Sequence, residues 1–60
     1  MSFADAVFDL RHRLRLTQQE LADALGVNQA QVSRWECGMT APRSKALKGL
    51  TDLGLRAVTL

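Results

Sequence analysis

Only three residues separate two short helical patterns near the middle of the chain, and this short connection restricts the fold more than any other feature. Thr17–Glu20 has the capping-box pattern that begins a helix. Gly26 ends that helix because glycine adopts positive φ without strain. Asn28 can cap a second helix only two residues later. A connection as short as Leu25–Asn28 forces the two helices to cross at roughly 90–120°.

The pattern on either side predicts two more helices. Apolar residues recur at helical spacing at Phe3, Val7, Leu10 and Leu14, which predicts a helix over 3–15. The central pair is predicted over 18–25 and 29–37, with Ala22 small enough for the two helices to touch. Pro42 can occupy the first turn of a last helix. Its apolar face is predicted to contain Leu47, Leu50 and Leu53, and Gly54 is predicted to end it.

The predicted fold class is therefore all-α. It is a compact bundle of four short helices containing a helix-turn-helix at about residues 18–37, in a single domain over 1–60. Gly49 lies within the last helix, where glycine lowers helix stability by about 1 kcal/mol relative to alanine. The apolar segment Leu55–Leu60 is interpreted as a frayed turn, a fifth helix or a dimer contact.

The residue inventory argues against several classes of protein. Cys37 is the only cysteine and His12 the only histidine, so a disulfide is excluded and a zinc site lacks ligands. We expect no metal and no cofactor. We also expect no enzyme, because the sequence has no nucleophile–base set, no paired catalytic carboxylates and no phosphate loop. No apolar run approaches about 18 residues and no signal-peptide pattern begins the chain, which predicts a cytoplasmic protein.

The third predicted helix has an inward and an outward face. Val32 and Trp35 fall on one side, and Gln29 and Arg34 point away from them. Glutamine can pair with adenine and arginine with guanine in the major groove of DNA. The alternative for both is ordinary solvated surface. Trp35 could stack on bases, but its helical phase favours packing in the core.

One stretch resembles a known family. The residues from Leu16 to Glu36, followed by Gly38 and Pro42, resemble the lambda-repressor-like (Cro/cI, XRE) helix-turn-helix family. The resemblance extends over about Leu10–Leu53. It implies a compact bundle of four or five helices that binds operator DNA, usually as a dimer.

The resemblance also implies roles for individual residues. Base contacts are expected from Gln29, Ala30, Ser33 and Arg34. Phosphate contacts are expected from Gln18, Arg43 and Lys45. For Gln18 the alternative is a plain first-turn residue, and for Arg43 and Lys45 it is a solvated basic face. Structural roles are expected for Ala22, Gly26, Val32 and Trp35, and for an ion pair between Arg11 and Glu36.

Two functions compete at this point. The first is a sequence-specific regulator of transcription that binds double-stranded DNA, a repressor of the Cro/cI type. Its operator is expected to be palindromic, and the protein a homodimer at least on DNA. The alternative is an antitoxin-like or other protein-interaction module with secondary DNA binding. Only Gly54–Leu60 is spare for such a partner, which favours the regulator.

Overall fold

The first helix begins next to the N-terminus, and three more follow in a chain without strands over the described residues. The computed structural model describes residues 2–55. Its helices are α1 (Phe3–Arg13), α2 (Gln18–Leu25), α3 (Gln29–Glu36) and α4 (Ser44–Asp52). The all-α bundle is confirmed. None of these helices is long and apolar enough to cross a membrane. Most of Leu55–Leu60, where a fifth helix or dimer contact was predicted, lies outside the described residues.

The helices of the central pair begin with side-chain caps, as predicted. The Thr17 hydroxyl accepts from the Glu20 N–H at 3.0 Å, and the Glu20 carboxylate accepts from the Thr17 N–H at 2.8 Å. The Asn28 amide oxygen accepts from the Gln31 N–H at 2.9 Å. These local bonds satisfy N–H groups that have no partner within the helix. The predicted bounds of α2 are confirmed.

The start of α4 differs from the prediction. Pro42 was expected in its first turn, but Arg43 is extended, with φ −89° and ψ 173°, and no side chain caps the helix. The extended residue places Pro42 outside the helix, where it is buried. α4 therefore begins at Ser44.

All four described helices end in the same way. The N–H groups of two successive residues, at the cap in α2 and just past it in the other helices, bond back to the last turn, and the first of the two has positive φ. Glycine occupies that position after α2, α3 and α4, at Gly26, Gly38 and Gly54. After α1 it is Arg15, with φ 56°.

These ends shorten two helices relative to the prediction. α1 ends at Arg13 because the chain reverses through Leu14 and Arg15. Leu14 is consequently 40% exposed, and its predicted place on the apolar stripe was wrong. α3 ends at Glu36, because Cys37 serves as its cap.

The core lies where α1, α2 and α3 meet, with α4 packed against α2. Its buried side chains are Val7, Leu10, Leu21, Ala22, Val32, Trp35 and Leu50. A Cβ added at Gly49 would lie 2.8 Å from a methyl carbon of Leu25. Glycine thus lets α4 approach α2 closely, which offsets its low helix propensity.

Candidate nucleic-acid interface

The outward face of α3 is the part of the molecule that the sequence singled out. Gln29, Ala30 and Arg34 are exposed along it, and Ser33 is half-buried. Trp35 on the opposite face is only 4% exposed and packs in the core, which excludes stacking on bases. The four predicted base contacts therefore share one side of α3, with Ser33 the least accessible.

Two glutamines connect the starts of α2 and α3. The Gln29 side-chain N–H donates to the Gln18 amide oxygen at 2.6 Å. The Gln18 side-chain N–H donates in turn to a carboxylate oxygen of Glu36 at 3.3 Å. Each bond restricts the rotamers of Gln18, and the first restricts Gln29 as well. Gln29, a predicted base contact, is thus oriented by Gln18, a predicted phosphate contact.

Arg11 and Glu36 join α1 to the end of α3. Arg11 Nε lies 2.7 Å from Glu36 Oε2, and Arg11 Nη2 donates to Glu36 Oε1 at 3.0 Å. Arg11 Nη1 also donates to the Leu16 carbonyl at 3.0 Å. The two side chains are only 14% and 7% exposed. The resemblance implies an ion pair between these residues; in the structure the pair is two-pronged and largely removed from water.

The environment of this pair alters the pKa of both partners. Burial raises the pKa of Glu36. Hydrogen bonds from Arg11 and Gln18 and the charge of Arg11 together lower it by more, so the net pKa falls below 4.5. The hydrogen bond to Glu36 raises the pKa of Arg11 and outweighs the opposing effect of burial. Both groups are therefore charged at neutral pH.

A second group of predicted residues lies around a cavity beside α3. Arg34, Arg43 and Lys45 all line it, and all three are exposed. The structure thus brings together one predicted base contact and two predicted phosphate contacts. Lys48, a further basic residue of α4, does not line this cavity; it lines a second groove together with Lys45 and Asp52.

Sequence reasoning missed two features of this surface. The contact between Gln18 and Gln29 joins residues 11 apart across the turn, and no local pattern predicts it. Arg15, with its positive φ, gives no sign in the sequence of occupying a position where the other helices have glycine. Within residues 2–55, no cluster of three histidine, cysteine or acidic side chains could hold a metal ion.

Comparisons with known proteins agree with the helix-turn-helix arrangement of α2 and α3. A family model described as helix-turn-helix matches residues 8–53. The type II methyltransferase M.SsoII of Shigella sonnei is 39% identical over 54 residues, which cover 85% of this chain. The chain spans only 14% of that methyltransferase. No solved structure matches. The family match extends from within α1 to the end of α4, and the chain therefore belongs to the helix-turn-helix family of the XRE, Cro and cI type.

Proposed function

We propose that this chain is a sequence-specific regulator of transcription that binds double-stranded DNA, of the repressor type, with α3 in the major groove. The observation that supports this most directly is the fixed position of Gln29. Its amide is held by Gln18 at 2.6 Å, next to the start of α2 and on the exposed face that Arg34 shares. An oriented amide on an exposed helix has a ready partner in a base edge.

The proposed contacts divide into two kinds. Gln29 and Arg34 can each form two-pronged hydrogen bonds to a base, and the methyl group of Ala30 suits thymine. Ser33 is a minor contributor because it is half-buried. Gln18, Arg43 and Lys45 contact phosphates, which position the protein without selecting a sequence.

The assembly on DNA follows from the symmetry of the duplex. We propose that two copies bind a palindromic operator, one α3 in each half-site. In this proposal the chain itself has no catalytic activity, and it binds DNA in the cytoplasm. The similarity to 14% of a methyltransferase supports a DNA-binding module that also occurs within a longer enzyme.

Selection of bound sequences from a random duplex library tests the base contacts. The wild-type protein is expected to enrich a palindrome. Arg34→Ala is expected to lose preference at one base position per half-site, because a two-pronged contact gives about 1–3 kcal/mol of discrimination. If Arg34→Ala folds and retains the full preference, Arg34 does not contact a base. If the wild-type protein enriches nothing, the proposed function is wrong.

The salt dependence of affinity tests the phosphate contacts. Arg43→Ala should weaken binding to all duplexes about equally. It should also lower the slope of log K against log salt by about one, because each phosphate that a cation neutralises releases about one counterion. Lys48→Ala is the matched control, since it removes the same charge at a residue that is not among the proposed contacts and does not line the cavity beside α3. An equal change of slope in both variants would assign the effect to net charge rather than to a phosphate contact at Arg43.

A further inference from the structure

A cavity of about 650 Å³ opens between the turn that joins α2 to α3 and the segment over residues 40–46. Its volume lies within the range of roughly 300–1,000 Å³ that is typical of small-molecule sites. Of the proposed base contacts, Arg34 lines it, whereas Gln29, Ala30 and Ser33 do not. The cavity therefore offers a binding site separate from the Gln18 and Gln29 pair.

Part of the cavity wall is apolar, although the polar residues Gln31 and Thr40 also line the cavity. Trp35 forms part of it, together with Leu25, Val27 and Ala46. The last three are half-buried, so apolar atoms that pack on the core also reach the cavity. A DNA phosphate gains nothing from such a wall, whereas a ligand with an apolar body would bury it.

The charged residues of the cavity all have one sign. Arg34, Arg43 and Lys45 line it, and no acidic residue of the described chain does. An apolar wall beside several cations is complementary to a molecule with an apolar body and an anionic head. We propose that this cavity binds a small amphipathic organic anion, an aromatic carboxylate being the simplest example.

Occupation of the cavity has a consequence for DNA binding. An anion held by Arg34, Arg43 and Lys45 uses the cations that the proposed function assigns to DNA. The two ligands then compete, and each lowers the apparent affinity of the other. This antagonism rests on the proposed function, whereas the ligand site does not.

Nuclear magnetic resonance of the ¹⁵N-labelled protein without DNA tests the site directly. 2-Naphthoate is the probe, with the neutral 2-naphthamide and inorganic phosphate as comparisons. We expect 2-naphthoate to shift the Trp35 indole N–H and the amides of 40–46, and to bind at least about tenfold more tightly than either comparison. Equal binding of naphthoate and naphthamide, or shifts spread over the whole chain, would overturn the proposal.

Two variants separate the apolar wall from the charges. Ala41→Phe should fill the opening and weaken naphthoate binding about tenfold, whereas Ala24→Phe, on an exposed position of α2 outside the cavity, should not. Lys45→Gln should weaken naphthoate but not naphthamide. If Ala41→Phe folds and neither it nor Lys45→Gln changes naphthoate binding, the site is not this cavity.

A competition assay with a selected duplex then tests the antagonism. Naphthoate should raise the apparent dissociation constant of the wild-type complex and leave that of Ala41→Phe unchanged. Naphthoate that binds without affecting a DNA complex would remove the antagonism and keep the site. A protein that binds naphthoate but no duplex would overturn the proposed function alone.

Discussion

Arg15 adopts the left-handed backbone conformation that glycine adopts at the ends of the other three helices. Its φ of 56° brings the side chain close to the following carbonyl, which costs a non-glycine residue about 1–2 kcal/mol. Glycine loses part of that advantage through the greater freedom of the unfolded chain. We expect Arg15→Gly to stabilise the protein by about 1 kcal/mol, a rise in Tm of about 4–8 °C for a domain of this size.

Thermal denaturation followed by circular dichroism measures this change. Gly26→Ala is the complementary variant, because it places a side chain at φ 71° with open space around it. It should lower Tm by a similar amount. A lower Tm for Arg15→Gly would show that the Arg15 side chain stabilises the fold by more than its backbone costs.

Glu36 makes stability depend on pH in a defined direction. Its pKa is lower in the folded protein than the ordinary 4.5, so its contribution is complete above the unfolded value and is lost as pH falls through the folded one. Glu36→Gln leaves Arg11 largely buried without a carboxylate, at a cost of about 3 kcal/mol near neutral pH. We expect the difference in unfolding free energy between wild type and Glu36→Gln to shrink below pH 4.5.

Urea denaturation at several pH values measures that difference. All other carboxylates are common to both proteins, so their titration cancels in the comparison. A difference that stays constant from neutral pH down to acid would mean that the ionisation of Glu36 does not contribute to the pair.

At the scale of elements, two adjacent residues of α3 lie on opposite faces of the helix, one in the core and one exposed. Trp35 fills the core, and Arg34 lies on the exposed face. Trp35→Ala should cost about 3–5 kcal/mol, a large part of the roughly 3–9 kcal/mol available to a domain of 60 residues. We expect this variant to be largely unfolded by circular dichroism. Arg34→Ala should keep the wild-type helix content and a Tm within a few degrees.

Local signals explain how much of each element the sequence predicts. The capping box and Gly26 place both ends of α2 because each acts through bonds within a few residues. The end of α1 was predicted two residues too late, since a positive φ at Arg15 has no sequence signal. The face of α3 follows from helical periodicity, but the bond from Gln29 to Gln18 depends on how two helices pack.

At the scale of the whole molecule, the exposed apolar residues limit the area that is available for an interface between two copies. Within residues 2–55, the large ones are Phe8, Leu14 and Met39. Phe8 and Leu14 are six residues apart, which is roughly 120° at helical spacing, and Met39 lies in the loop after α3. Stable dimers bury well over 1,000 Å² in total. We therefore expect a monomer at micromolar concentration without DNA.

Sedimentation with and without a selected duplex measures this. Two copies should bind together on a duplex whose half-sites are about one helical turn, roughly 34 Å, apart. A duplex with one half-site removed should bind one copy, and more weakly. A tight dimer in the absence of DNA would contradict the prediction.

We also expect the ion pair between α1 and α3 to lengthen the lifetime of the folded state. It joins residues 25 apart, whereas the caps and helix ends close over at most five residues. Contacts that are distant in sequence form late when local structure forms first. Glu36→Gln should therefore speed unfolding in stopped-flow measurements and leave the refolding rate nearly unchanged. The pair would then slow unfolding more than it speeds folding, so that its main effect is on the lifetime of the native state.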